Sequence, residues 1–133
     1  MSDAEEMDAG KIPIKIQVFG IGVLEGFITR YVSPLSADAI LDKLPIVLRG
    51  RFNFGSKDYW ILPDIGIRKG ANMKATKNVT SGDIVYNPKT DEISILLKDI
   101  EMPNKINKLG TVSKNLNLLE KARNGLNCKI SKT

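Results

Sequence analysis

Residues 107–125 read NKLGTVSKNLNLLEKARNG. A short extended stretch, Leu109–Val112, leads into a helix capped by Ser113 or Asn115, and Leu116, Leu119 and Ala122 give that helix a narrow apolar seam. Asn124-Gly125 stops it in the left-handed region. Two readings compete. A helix N-terminus entered through Gly110 binds phosphate well. A barrel equally needs a helix that covers one open end and returns the chain to the sheet.

The residues before this stretch favour the second reading. Ile12, Ile14, Ile16 and Val18 alternate with Pro13, Lys15, Gln17 and Phe19, the period of a half-buried strand. A turn at Gly20-Ile21-Gly22 opens a second strand, Val23 to Val32, with Leu24, Gly26 and Ile28 on one face. Ser36 caps a helix whose Ala37, Ile40, Leu41 and Leu44 share a face, and Pro45 ends it. Strand character returns in Ile46–Phe54, Tyr59–Leu62, Ile65–Arg68, Met73–Thr76, Ile84–Tyr86 and Glu92–Lys98. Asp99 to Lys108, with Pro103, reads as a polar connection, and Leu126–Ile130 closes as the last strand. Many short strands with regular turns and two helices suit a mainly β fold: a closed barrel with a short helix over each end.

The length of 133 residues fits one domain, taken as 11–133 behind a disordered acidic tail at 1–10. The first ten residues hold Asp3, Glu5, Glu6 and Asp8 and no Lys or Arg. The remainder therefore sets 20 basic side chains against 11 acidic ones. Such a body attracts acidic partners, but its lysines are scattered, as in a solvated surface. No apolar run approaches the ~20 residues of a membrane span, and the polar, acidic start leads us to expect a cytoplasmic protein.

Chemistry narrows mostly by elimination. The chain has no histidine and one cysteine, Cys128, in an apparent strand. That removes Ser-His-Asp and Cys-His mechanisms and the usual zinc sites. No nucleotide-binding glycine loop is present, so neither a cofactor nor a metal is expected. Asp91-Glu92 reads as a pair of solvated turn charges. One stretch stands out: RGRFNFGSKDYW, Arg49 to Trp60. Arg49 and Arg51 share one face of a strand, Phe52 and Phe54 the other, and Tyr59 and Trp60 follow the turn. Arginines beside aromatics can hold a carbonyl, carboxylate or phosphate against a stacking surface. Equally, the phenylalanines can fill the barrel while the arginines face solvent. Stacking plus cations is also the single-stranded nucleic-acid recipe.

The opening stretch resembles the closing segment of cyclophilins, in which a hydrophobic-Gly-x-Val strand enters a short helix. Leu109, Gly110, Val112, Leu116 and Leu119 match, while Asn115 stands where a glycine is usual. SGDIVYNP, Ser81 to Pro88, is similar to a motif of the short bacterial and archaeal cyclophilin-like proteins, through Gly82, Asp83, Ile84, Tyr86 and Pro88. An aromatic-glycine turn before a Tyr-aromatic strand also matches, at Phe54-Gly55 and Tyr59-Trp60. The resemblance implies a closed eight-stranded barrel from about residue 11 to 130, with Gly110 serving close packing and the last helix acting as a lid.

True cyclophilins isomerise X-Pro bonds on an outer wall, with an arginine, an aromatic floor, a glutamine and a histidine. Registered on Arg49, this chain keeps the arginine and places Phe54 at the aromatic position. Lys57 replaces the glutamine, and no histidine exists. The resemblance therefore implies a non-catalytic barrel that binds a peptide or small-molecule ligand on a wall around Arg49, Phe54, Trp60 and Tyr86. The alternatives are a prolyl isomerase with a reduced site at Arg49 and Phe54, and a basic nucleic-acid binder.

Overall fold

The computed structural model describes residues 10–53 and 55–133. The acidic stretch 1–9 and Phe54 lie outside the described residues.

The first hairpin forms as its alternation dictates. β1 (Lys11–Val18) pairs antiparallel with β2 (Gly22–Thr29), Ile14 opposite Gly26 and Val18 opposite Gly22. Ile14, Ile16, Val18, Leu24 and Ile28 are buried, each worth about 1.5–3 kcal/mol over exposure. The helix α1 (Pro34–Lys43) begins earlier than Ser36: Ser33 is its N-cap and Pro34 occupies the first turn, where a missing N–H costs nothing. Ser36 is buried inside that turn, beside Ala37, Ile40 and Leu41.

The remaining strands are β3 (Ile46–Arg49), β4 (Arg51–Phe52), β5 (Tyr59–Leu62), β6 (Thr76–Val79), β7 (Asp83–Asn87), β8 (Glu92–Leu96), β9 (Ile100–Lys114) and β10 (Asn127–Lys132). A 3₁₀ helix, Leu116–Lys121, precedes the last of them. Three expectations change. Residues 65–75 carry no regular structure, the strand from Ile46 is divided at Gly50, and 100–108 is the first half of β9 rather than a connection. Pro103 fits there because it falls between the paired positions Glu101 and Ile106, where no ladder N–H is required.

The sheet runs β3-β10-β1-β2-β9-β7-β8-β5-β4, with β6 added on β9. The fold is mainly β, as expected, but the ladder is an open path of more than eight strands rather than a hydrogen-bonded ring. Its two ends, β3 and β4, are consecutive in the chain and separated only by Gly50. There the strand changes partner. Gly50 N–H donates to the Leu126 carbonyl (2.9 Å) and its carbonyl accepts from Gly125 N–H (2.8 Å), while Arg51 and Phe52 already pair with Ile61 and Trp60. A Cβ on Gly50 would collide with the Trp60 indole.

β7 and β8 are buried on both faces, so they read as continuous apolar runs. Ile84, Tyr86, Ile93 and Ile95 join the main core. Val85 and Leu96 face a second cluster with Val79, Met102 and Ile106, beneath β6 and the first half of β9. The second half of β9 returns to the main core through Leu109 and Val112. Between them the pairing with β7 shifts register, Ile84 opposite Gly110 and Val85 opposite Lys108, a bulge that turns the strand's buried face over. At Gly110 β9 lies so close to β2 that a Cβ would collide with the Phe27 carbonyl oxygen. The glycine therefore serves close packing, and the 3₁₀ helix after it buries Leu119.

Candidate functional site

Of the four residues singled out in the sequence, Phe54 lies outside the described residues, and Arg49, Trp60 and Tyr86 do not share an exposed wall. Arg49 is exposed at the end of β3. Trp60 and Tyr86 are 0% exposed. Trp60 lies against Gly50 and meets the Phe52 ring edge-on, with centroids 4.9 Å apart. Its Nε1–H has no oxygen or nitrogen acceptor among the described residues and is directed at the Cys128 sulfur. Cys128 is buried as expected, and burial pushes its thiol up to about 12.

Tyr86 holds a loop in place. Its hydroxyl donates to Asp91 Oδ1 (2.5 Å) and accepts from the Lys69 N–H (3.3 Å). Burial, reinforced by the bond to Asp91, raises its pKa to about 12. Asp91, expected as a solvated turn charge, is instead 9% exposed. It accepts from Gly66 N–H (2.6 Å) and Arg68 N–H (3.0 Å). Burial alone would push its carboxyl up. The hydrogen bonds from Tyr86, Arg68 and Gly66 outweigh burial and hold it below the usual range. These bonds matter because Asp64, Gly66 and Arg68 all have left-handed backbones, with φ of 56°, 87° and 50°. Asn107 secures the next part of the same loop, accepting from Asn72 N–H (2.8 Å) and donating to the Gly70 carbonyl and Ser36 Oγ (both 3.0 Å).

What the fold does bring together is the end of each notable stretch. The turn from β4 to β5 faces the chain leaving the 3₁₀ helix across an open cleft of about 630 Å³, lined by Arg51, Phe52, Lys57, Ala122, Arg123 and Asn124 with the turn residues between them. That volume is in the range of small-molecule sites. The turn is held from within: Asn53 Oδ1 accepts from Asp58 N–H (3.0 Å) and Tyr59 N–H (3.1 Å). A bond from the Ser56 hydroxyl to Asp58 leads the interactions that keep its carboxyl below the usual range. Asn124 Oδ1 accepts from Phe52 N–H (2.8 Å), pinning the opposite wall.

Phe52, 6% exposed, forms an apolar floor. Lys57 Nζ stands 5.0 Å from its ring centroid and donates to the Glu120 carbonyl (3.0 Å). Arg51 makes a long 3.4 Å contact to Glu92, and Arg123 makes no ion pair among the described residues. Among the described residues no acidic side chain lines the cleft. Sequence reasoning named Arg51, Phe52, Lys57 and the Asn124-Gly125 stop, each within its own stretch, and missed Arg123. The signal available was that each stretch contains a glycine turn, at Gly55 and at Gly125, and both glycines have positive φ, 83° and 96°.

Among the described residues no group of three His, Cys, Asp or Glu could hold a metal. No described helix is long and apolar enough to cross a membrane.

An antiparallel sheet with β9 packed on β2 through Gly110, and a 3₁₀ helix before the last strand, make up the architecture. The chain belongs to the cyclophilin-like family, whose family model matches residues 30–131. Among solved structures it is similar to the hypothetical protein AF2241 from Archaeoglobus fulgidus, at TM-score 0.74 and 16% identity over 93% of this chain and 96% of that one. It is also similar to McbB, solved in complex with tryptophan, at TM-score 0.74 and 9% identity over 90% of this chain and 44% of McbB. No curated protein matches the chain. At these identities the likeness speaks to the fold.

Proposed function

We propose that this protein is a non-catalytic binding module for a small ligand, seated in the cleft between the β4–β5 turn and the 3₁₀ helix. One observation carries the reading: three cationic side chains, Arg51, Lys57 and Arg123, ring an aromatic floor in a cleft of about 630 Å³ with no carboxylate among its described lining residues. Charged groups of one sign around an apolar surface favour a ligand over mere solvation, since they repel one another when the cleft is empty. The Arg49–Trp60 stretch keeps its binding role in this reading. The contact surface moves from the buried rings of Trp60 and Tyr86 to the cationic side chains Arg51, Lys57 and Arg123, with the buried Phe52 beneath them. Trp60 backs the floor, and Gly50 joins the two ends of the sheet covalently, so the barrel is closed by chain rather than by a ladder. McbB, which shares the fold, is known in complex with tryptophan, in keeping with a small ligand.

The test is a thermal-shift screen of small acids, amines and neutral compounds against the protein and its Lys57→Met and Arg123→Gln variants. Compounds that raise Tm for the protein but not for the variants support the reading. Stabilisation that survives both substitutions contradicts it. A coupled-protease prolyl isomerase assay is run alongside, with no acceleration expected. Acceleration that disappears in Arg49→Ala would replace the binding module with a reduced isomerase.

A further inference from the structure

Cations scattered along the sequence are gathered by the fold at the end of the sheet remote from the 3₁₀ helix, whose Leu118 lies against Gly22 at the other end of β2. The loop after β5 is laid on β7 and β9 by three hydrogen bonds to its backbone. Lys69 N–H donates to the Tyr86 hydroxyl (3.3 Å), Asn72 N–H to Asn107 Oδ1 (2.8 Å), and Asn107 Nδ2 to the Gly70 carbonyl (3.0 Å). The turn after β7 is tied to β9 by the paired amides of Asn87 and Asn104 (2.7 and 3.2 Å), and Lys89 N–H donates to the same Asn87 Oδ1 (3.0 Å). Arg68, Lys69, Lys74, Lys89, Lys105 and Lys108 therefore share one surface. Of these six, only Lys108 forms an ion pair among the described residues, with Asp83 (3.3 Å). The described carboxylates of this region are Asp64, Asp83 and the buried Asp91, three against six cations.

The chain before Gly10 joins the sheet at this same end. The Gly10 carbonyl accepts from Arg30 N–H (2.7 Å), Lys11 stands opposite Thr29, and Thr29 and Lys108 line one small hollow. β2 stops there, whereas the first half of β9 runs on past it, parallel to a backward continuation of β1. Two strand spacings of about 4.8 Å put the backbone of Lys108 about 10 Å from Gly10. Lys105 lies three residues further along β9, and Lys74 two residues before Thr76, which faces Ile106. At ~3.3 Å per residue, Asp8 reaches about 7 Å from Gly10 and Asp3 about 23 Å, enough to span these cations. Asp3, Glu5, Glu6 and Asp8 are four carboxylates for an excess of three cations. The outer face of β1 fits them less well, because Lys15 there already stands opposite Glu25.

We infer that the acidic segment Asp3–Asp8 docks on this surface of its own chain, its carboxylates shared among Lys69, Lys74, Lys105 and Lys108. Tethering supplies the high effective concentration that a few exposed ion pairs need. The segment thereby competes with any outside polyanion for the same cations.

The experiment attaches a nitroxide to Ser2→Cys in the 15N-labelled full chain, Cys128 being buried and so spared, and reads paramagnetic broadening of the backbone amides. The inference expects the amides of 69–74 and 104–108 to lose at least half their intensity, while those of 55–57 and 122–125 at the other end keep theirs. Neutralising the segment (Asp3→Asn, Glu5→Gln, Glu6→Gln and Asp8→Asn together) should restore the lost intensity, as should Lys74→Glu with Lys105→Glu, and about 0.5 M salt should weaken the effect by screening. Broadening that survives neutralisation overturns the inference, as does broadening centred on Lys15 and Lys129 or on the Arg51–Asn124 cleft, or none above the level of the neutralised variant. Equal broadening in a mixture of spin-labelled 14N chain and unlabelled 15N chain would seat the segment on a second copy and also overturn it. Oligo-dT of twelve nucleotides tests the outside polyanion: displacement of the segment, seen as recovered intensity, is expected. Shifts at 69–74 from the oligonucleotide with the broadening undiminished would mean that the segment sits elsewhere.

Discussion

The wall where β2, β9 and β7 lie side by side and the end where the β4–β5 turn faces the 3₁₀ helix are both built around glycines, and they use them in opposite ways. In the wall, Gly26 and Gly110 bring two backbones so close that a Cβ on either would collide with a carbonyl oxygen, of Thr111 and Phe27 respectively. At the cleft, Gly55 and Gly125 face open space, with nothing within 4 Å of a Cβ, and are needed only for their positive φ. The wall spends glycine on contact and leaves only a small hollow of about 130 Å³ beside Gly110. The cleft spends glycine on turning, which leaves a concave surface with cationic side chains that have few partners inside the protein. Packing density separates the part of the molecule that holds the fold from the part available for binding.

Substitutions sharpen that contrast in order of size. Gly110→Ala should have the largest effect, a loss of about 3 kcal/mol or more, because only separation of β2 from β9 relieves the collision. Chemical denaturation reads it directly, and a loss below about 1 kcal/mol would mean the wall yields more easily than its geometry says.

Asp91→Ala follows, at about 2 kcal/mol, since the buried Tyr86 hydroxyl and two part-buried backbone donors lose their acceptor. Its pH behaviour is distinctive. The Asp91 carboxyl is held below its usual value in the folded state, so its stabilisation is present above the unfolded aspartate pKa of about 3.9 and is lost as pH falls below it. The Tyr86 hydroxyl, raised to about 12, contributes below the unfolded tyrosine pKa of about 10 and loses that contribution as pH rises from there toward 12. Tyr86→Phe should reduce the alkaline dependence, to which the raised Cys128 and Tyr59 still contribute, and leave Asp91 its backbone donors. An unchanged alkaline limb in that variant would take Tyr86 out of the account.

Gly55→Ala should cost about 1 kcal/mol, from backbone strain alone. If it costs as much as Gly110→Ala, the turn is packed and the contrast breaks. Arg123→Gln should change stability by less than about 0.5 kcal/mol, as an exposed side chain without an ion pair among the described residues. A larger loss would make Arg123 structural rather than ligand-directed.

Much of the wall was legible in the sequence. The alternation of Ile14, Ile16 and Val18 against Leu24 and Ile28 fixes the first hairpin, and the apolar stripe of α1 needs no tertiary information. Gly110 was also readable as a packing glycine, through the resemblance of its surroundings. β9 was hidden for a physical reason. Its first half buries Met102 and Ile106 in one cluster and its second half buries Leu109 and Val112 in another, so the bulge breaks the period of two that marks a strand. Asp91 looked like a solvated charge because its donors, Gly66 and Arg68, come from a loop more than twenty residues away. Trp60 and Tyr86 were placed on an outer wall because an aromatic side chain reads the same in sequence whether it lines a site or fills a core. Gly50 decides the matter for Trp60, through a contact between positions on two different strands. The cleft needed distance information that no single stretch contains, since its two walls lie more than sixty residues apart.

The central claim is that ligand binding belongs to the Arg51–Asn124 cleft and not to another face. An unbiased fragment library titrated into the 15N-labelled chain tests it most directly. The account predicts that the amide shifts of successful fragments cluster at residues 51–57 and 122–125. Shifts that cluster instead around Arg49 and β10, or on the loop at 65–75, would contradict it.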